Sequence, residues 1–174
     1  VRLKGEKAGV TAYHTIRLMV SPANTDILDP EVVDAFIRET HEKYYERFPD
    51  SFGRELVGFF TDEPQYYRYE TPYTKGLHAE FAKDGEDVMD GLPYLFLHDE
   101  RGYAFRVKYY TALNKLYVEN YYKKLYDWCS AHNCKLTGHS IEEVRVSLQM
   151  LGGAGVMPTY EYEHIPAIDQ LGRG

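Results

Sequence analysis

The 174-residue sequence has few cysteines, no long apolar run and no excess of basic residues. Its two cysteines, Cys129 and Cys134, are too few and too close together for a disulfide framework or a zinc knuckle. We expect both to be reduced and structural. No apolar stretch approaches the roughly 20 residues of a membrane-spanning helix. A net charge of −7 disfavours a phosphate backbone. We therefore expect neither a membrane nor a nucleic acid as a partner.

Several catalytic motifs are also missing. The sequence contains no GxSxG elbow, no HExxH, no Walker loop and no GxGxxG after a strand. What it has instead is carboxylates, seven histidines and 17 tyrosines, within an aromatic share of 15%. Tyrosine combines an apolar face with a polar tip, which suits sugar-binding clefts and half-buried helix faces alike.

The order of predicted elements is typical of an α/β fold. Asp29-Pro30-Glu31 predicts a helix start, with a capping acid and a proline in the first turn. Residues 102–131 carry apolar and tyrosine side chains at helical spacing, which we interpret as a helix packed on a sheet. Strands are predicted at 10–20, 56–60, 133–141 and 157–169. Further helices are predicted at 30–48, 77–84 and 142–151, and a short helix and turn at 85–96.

This alternation predicts a parallel sheet with right-handed crossovers in a single domain, residues 1–174. Two architectures remain open. One is a partial (β/α)8 TIM barrel of three to four βα units, which would make the chain a fragment of a larger catalytic barrel, because a whole barrel takes about 250 residues. The other is a small doubly wound sheet.

The first candidate site is "FFTDEP", where Asp62 and Glu63 directly follow a buried-strand pattern. In parallel sheets, substrates bind at the carboxyl ends of the strands. Because neighbouring residues of a strand point in opposite directions, we expect one acid to face the cleft and the other to anchor the loop. An acid enclosed by apolar neighbours keeps its proton near neutral pH and can act as a general acid.

Two further stretches have the same character. In "TGHSIEE", His139 follows a predicted strand, and Glu142 and Glu143 lie at a predicted helix start, where acids also stabilise the helix dipole. The last stretch, "YEYEHIPAID", offers four further groups: Glu161, Glu163, His164 and Asp169. Carboxylates at one edge suit glycoside hydrolysis by an acid and a second carboxylate. They also suit a hard cation such as calcium.

The motifs "FFTDEP", "LTGHSIEE" about 75 residues later and "HIPAID" together resemble glycoside hydrolase family 106, the α-L-rhamnosidase family. The stretch "LDPEVVDAFIRETHEKYYERF" and "LPYLF" before a long helix extend the resemblance over residues 16–172. One departure is Ala167, where a glycine is expected. The resemblance implies the middle portion of a (β/α)8 catalytic domain that hydrolyses α-L-rhamnosides with inversion. It also implies bacterial carbohydrate metabolism and, in many members, calcium near the sugar.

The resemblance also implies roles for individual residues. Glu63 would be the general acid, and Glu142 or Glu143 a second catalytic acid or a ligand of substrate or metal, unless the base lies outside residues 1–174. Substrate-binding residues would be Asp62, His139, Tyr66, His164 and Asp169, with Tyr67 as a second stacking face. We assign no metal ligand and no certain cofactor, with calcium as the one candidate.

Two other functions stay open. One is a carbohydrate-binding module that does not cleave its ligand. The other is a metal-dependent hydrolase that uses His139, His164 and the acids. Whatever the function, a partial barrel would leave apolar faces and strand edges uncovered. We therefore expect the chain to self-associate.

Overall fold

A computed structural model describes residues 15–20, 25–66 and 71–169 of the chain. Its strands are β1 Gly58–Asp62, β2 Lys135–His139 and β3 Ile165–Pro166. Its α-helices are α1 Pro30–Glu39, α2 His41–Arg47, α3 Gly76–Ala82, α4 Val88–Gly91, α5 Glu100–Tyr117, α6 Lys123–Ala131 and α7 Val146–Gly152. Short 3-10 turns lie at Pro49–Ser51, Leu92–Leu95 and Met157–Tyr162, and the π-helical segment Val118–Tyr122 joins α5 to α6.

The three strands form one small, open parallel sheet in the order β1-β2-β3. The predicted α/β class with a parallel sheet is therefore confirmed at this level. Gly138 lies opposite Thr61 in the β1–β2 register. A Cβ at this position would come within 2.1 Å of the Thr61 carbonyl oxygen, so the spacing of the two strands requires glycine here.

The two faces of the sheet have different surroundings. Phe59 and Thr61 of β1 point to the helices, where Phe59 packs against Trp128 and Thr61 contacts Tyr121. The opposite face carries the row Phe60, Thr137 and Ile165. Phe60 is 59% exposed and Ile165 is 49% exposed, so the described elements leave this face open at both positions.

The helix predicted from Pro30 begins where the sequence indicates. Asp29 is its N-cap and accepts a hydrogen bond from the Glu31 amide at 3.1 Å. The prediction of one helix through residue 48 is wrong, because Thr40 leaves helical geometry (φ −122°, ψ −76°) and separates α1 from α2. The break lets the buried ring of His41 pack against Phe59, with centroids 4.2 Å apart.

The long helix predicted over 102–131 is confirmed as α5, the π-helical segment and α6 in succession. Its second half packs on the sheet as expected, with Tyr117, Tyr121 and Tyr122 buried. Its first turns do not, since Tyr103 is 67% exposed. The extra residue per turn of a π-helix rotates the side chains that follow it and is frequent near functional sites.

Two predicted strands need correction. Residues 15–20 form no strand, and residues 10–14 lie outside the described residues. The segment 157–169 is mostly a 3-10 turn, Met157–Tyr162, followed by the two-residue strand β3. Pro158 occupies the first turn of this 3-10 segment and has no amide hydrogen for a strand ladder.

The remaining predictions follow the structure closely. Strand β1 begins two residues later than the predicted one. Helix α7 starts at Val146, four residues later than predicted, since Glu142 is left-handed with φ +57° and Arg145 is extended with φ −135°. Cys129 and Cys134 are buried free thiols. Among the helices in the described part of the chain, none combines the length and apolar character needed to cross a membrane.

Candidate functional site

Glu63 lies at the carboxyl end of β1, directly after the last strand residue. Its amide still donates to the His139 carbonyl oxygen at 3.2 Å, so the β1–β2 ladder extends to this point. Its backbone then turns into the left-handed region, with φ +45°. Such a conformation is uncommon outside glycine, and strained residues of this kind cluster at functional sites.

Asp62 and His139 make a close polar contact across the end of the sheet. They lie opposite each other in the register, and Asp62 Oδ1 is 3.1 Å from His139 Nε2. The imidazole is largely enclosed, whereas the Asp62 side chain is 77% exposed. The left-handed turn at Glu63 interrupts the alternation of the strand, and both acids lie near His139. The expectation that one acid faces the cleft while the other anchors the loop stays a prediction.

Three predicted site residues meet at this edge. One ligand atom each from Glu63, His139 and Asp169 lies within 4.8 Å of the others. We call these three residues the rim cluster. Each comes from the end of a different strand or from the segment after it, which is the geometry that parallel strands give to a substrate site. Glu63 is exposed, so the expected enclosure of this carboxyl by apolar neighbours is wrong.

Glu143 acts as an anchor for the surrounding loops. Its Oε1 accepts hydrogen bonds from the Ser140 amide at 2.8 Å and the Tyr160 hydroxyl at 3.2 Å. Its Oε2 accepts from the Asp169 amide at 2.9 Å. One carboxylate thus ties the end of β2 to the segment that carries Asp169. The neighbouring Glu142 is half-buried at the left-handed turn.

Glu163 is one of the four candidate groups in "YEYEHIPAID", but it is not among the predicted site residues. It is only 5% exposed, and neither carboxyl oxygen has a hydrogen-bond partner of ordinary geometry among the described residues. Burial, reinforced by the charge of Glu143, raises the pKa of Glu163 to about 7. The Ala167 amide and His139 act in the opposite direction.

The feature that distinguishes the buried Glu163 from the exposed Glu161 comes from contacts between distant parts of the chain. Tyr122 and Tyr160 both lie within electrostatic range of the Glu163 carboxyl, and they come from different segments of the chain. Only the folded chain brings these two tyrosines together around one of the two acids.

His164 does not lie in the rim cluster, so the prediction that it lines the site needs correction. Its Nδ1 accepts from the Leu136 amide at 3.0 Å, and its Nε2 lies 3.0 Å from Ser130 Oγ. Its ring stacks on Tyr126 with centroids 4.2 Å apart. These contacts join the start of β3 to α6. Burial lowers the pKa of His164, which keeps the ring neutral in this structural role.

Tyr66 offers no free stacking face. The side chain is 4% exposed, its ring packs against Tyr117, and its hydroxyl donates to the Met150 carbonyl oxygen at 3.0 Å. The predicted role of Tyr66 as a surface for a sugar ring is therefore corrected to one in the core. Tyr67, the second predicted stacking residue, lies outside the described residues.

Three other tyrosines hold the strand ends in place. Tyr121 shares a 2.8 Å hydrogen bond with the buried Thr61 hydroxyl, one residue before Asp62. Tyr117 donates to the carbonyl oxygen of Pro64, the residue after Glu63. Tyr122 bonds the Ser140 hydroxyl after β2 at 3.2 Å. The helix that covers the sheet therefore fixes both loops that bear the site acids.

A cavity of about 350 Å³ lies elsewhere and contains none of the predicted site residues. It is bounded mainly by apolar and aromatic side chains of the 15–20 segment, the 3-10 turn Leu92–Leu95 and α5, including Ile16, Leu18, Tyr73, Leu95, Phe96 and Tyr109. The rim cluster is instead an open edge of the sheet. Within the described residues, this cavity and the rim cluster are therefore separate.

No protein-family model and no curated protein sequence matches this chain. The likeness to glycoside hydrolase family 106 therefore depends on the motifs and their spacing alone.

Proposed function

We propose that this chain is part of an α-L-rhamnosidase-like glycoside hydrolase whose site is the rim cluster. The observation that carries the proposal is the meeting of Glu63, His139 and Asp169 from three separate strand ends. The quoted motifs support the same assignment, since they contain all three residues. Such an edge offers hydrogen-bond acceptors to sugar hydroxyls and a carboxyl group to the glycosidic oxygen.

In this proposal Glu63 is the proton donor. Its exposed side chain can be reached by a substrate. The contact between Asp62 and His139 orients the imidazole beside it. Asp169 accepts hydrogen bonds from the bound sugar.

The second catalytic carboxylate must satisfy a distance rule. Inversion needs the two carboxyl groups about 6.5–9.5 Å apart, so that a water molecule fits between them. Oxygens of Glu63 and Asp169 within 4.8 Å are too close for that arrangement. Glu143 is engaged by three donors as an anchor. We propose Glu142, which has contacts of its own, or a carboxylate from outside residues 1–174 as the base.

Calcium fits this cluster only in part. Glu63 and Asp169 offer the oxygen ligands that calcium prefers, but an imidazole nitrogen is a ligand for softer metals. We therefore assign no metal to the cluster, and no step of the proposal depends on one. The metal-dependent alternative loses its second imidazole, because His164 is bound to Leu136 and Ser130.

We propose further that the sheet is part of a (β/α)8 barrel. Two observations support this: the strands are parallel in sequential order, and one face is open at Phe60 and Ile165. In a barrel that face would be the inner wall, and in a doubly wound sheet helices would cover it. The chain alone should self-associate through the open face, which size-exclusion chromatography would detect as concentration-dependent elution.

Hydrolysis of 4-nitrophenyl α-L-rhamnopyranoside tests the proposal. Glu63→Gln should lower kcat by about 100-fold or more, the usual contribution of a general acid, with KM nearly unchanged. The exposed Glu161→Gln is the matched control and should retain full activity. Proton NMR of the first product should show an inverted anomeric centre. Equal kcat values for Glu63→Gln and the unmodified chain would contradict the role of Glu63.

One observation favours a second candidate, a carbohydrate-binding module. The described sheet has three strands and an open inner face, so the chain by itself lacks most of the walls that a barrel active site requires. Rhamnoside binding by both the unmodified chain and Glu63→Gln, with no release of nitrophenol by either, would support this candidate.

A further inference from the structure

Glu163 is the buried acid that the proposed mechanism does not use. Acids this enclosed are nearly always paired, yet both of its oxygens lack a hydrogen-bond partner among the described residues. A buried carboxylate without donors is costly, whereas the neutral acid is much less so. The geometry alone therefore disfavours the charged form of this side chain.

Four titratable groups from four elements face Glu163. They are Tyr122 of the π-helical segment, His139 at the end of β2, Glu143 of the following loop and Tyr160 of the last 3-10 turn. Glu143 carries a charge of the same sign, and its three donors are directed at its own oxygens. His139 and the Ala167 amide favour the charged form of Glu163, whereas burial and the charge of Glu143 favour the neutral form.

We propose that Glu163 is held as a neutral carboxylic acid and that this form positions Asp169 in the rim cluster. Glu163 and Asp169 flank β3, and the Asp169 amide is bound to Glu143. Ionisation of Glu163 would set two carboxylates against each other and loosen the Glu143 contact that holds Asp169. Glu163 is thus a positioning residue. The inference rests on the proposed function only in taking the rim cluster as the site.

Carbon-detected NMR of the side-chain carboxyl groups tests this directly. The Glu163 carboxyl should titrate with a midpoint near 7, well above that of the exposed Glu161. The Asp169 amide should show a titration step at the same midpoint in the unmodified chain and in Glu161→Gln. Glutamine copies the neutral acid, so Glu163→Gln should remove that step and keep the Asp169 amide at its low-pH position. The chemical shift of a His139 ring carbon, followed in the same samples, reports the protonation of the imidazole separately from that of Glu163.

A Glu163 midpoint in the range of ordinary glutamates would overturn the proposal, as would an Asp169 amide that ignores the Glu163 titration. If Glu163→Gln fails to fold, the titration of the unmodified chain still tests the proposal. The carboxyl resonance of Glu163 can be assigned there through the carbons of its own side chain. No sugar is present in these samples. A failed rhamnoside assay therefore leaves this result untouched, and a failed titration leaves the proposed hydrolase activity open.

Discussion

Replacing Glu163 by glutamine should make the stability of the chain less sensitive to pH. In the folded chain burial and the neighbouring Glu143 raise the pKa of this carboxyl to about 7, from 4.5 for an ordinary glutamate. The folded state therefore holds a proton that the unfolded state releases between these two values. By linkage, stability falls as the pH rises from 4.5 through about 7.

The size of the effect follows from the same two pKa values. The difference between 4.5 and about 7 corresponds to about 3 kcal/mol in the free energy of unfolding. Glutamine cannot ionise, so the variant escapes this loss. The free energy of unfolding of Glu163→Gln minus that of the unmodified chain should rise by about 3 kcal/mol from pH 4.5 to about pH 8. Contributions of other titrating groups largely cancel in this difference.

Urea denaturation at a series of pH values measures the difference. The fluorescence of Trp128, the single tryptophan of the chain and 9% exposed, reports unfolding. Glu161→Gln, a change at an exposed acid two residues away, should follow the unmodified chain within about 0.5 kcal/mol at every pH. Parallel curves for Glu163→Gln and the unmodified chain would refute the argument, since they would show that Glu163 ionises equally in both states.

Three further predictions concern the framework of the site. Tyr121→Phe leaves the buried Thr61 hydroxyl unpaired and should cost about 1–2 kcal/mol in urea denaturation, and the double change with Thr61→Val should recover part of that loss. Additive losses would contradict the hydrogen bond. Gly138→Ala brings a Cβ within 2.1 Å of the Thr61 carbonyl oxygen and should destabilise the chain by about 2 kcal/mol or more, whereas a neutral effect would mean that the strands are farther apart. Burial lowers the pKa of His41 to about 4 from 6.5, so protonation of His41 contributes a loss of stability as the pH falls through this range, opposite in sign to the contribution of Glu163. The free energy of unfolding of His41→Leu minus that of the unmodified chain should therefore rise as the pH falls from 6.5 to about 4, and a difference that does not depend on pH would contradict this assignment.

The parallel sheet and its main helices could be predicted because their signals are local. Asp29 and Pro30 specify a helix start through capping and a fixed backbone angle, and α1 begins there. The apolar run before Asp62 specifies a strand, and β1 lies within two residues of it. The expected burial of both faces is wrong, because Phe60 is exposed.

Other elements could not be predicted because distant contacts decide them. The break at Thr40 depends on the packing of His41 against Phe59, which belongs to another element. The last predicted strand reduces to two residues because its pairing depends on β2, and only Ile165 and Pro166 find partners there.

The sequence predicts the location of the candidate site better than it predicts which residues form it. Polar residues after apolar runs indicated the carboxyl edge, and Glu63, His139 and Asp169 meet there. The sequence does not distinguish a histidine at the edge of the sheet from one that packs against a helix. The prediction therefore places His164 at the edge, whereas its ring contacts Ser130 of α6. It also does not show burial, which makes Glu163 unusual and removes Tyr66 from any ligand surface.

Amide shift mapping with methyl α-L-rhamnopyranoside tests the central claim most directly. If the rim cluster is the sugar site, the largest shifts on titration should fall at Glu63, His139 and Asp169. The aromatic cavity around Tyr73 and Leu95 offers an internal comparison, because it has a volume of about 350 Å³ but carries none of the rim-cluster residues. Shifts concentrated at that cavity, or no shifts at saturating sugar, would contradict the account.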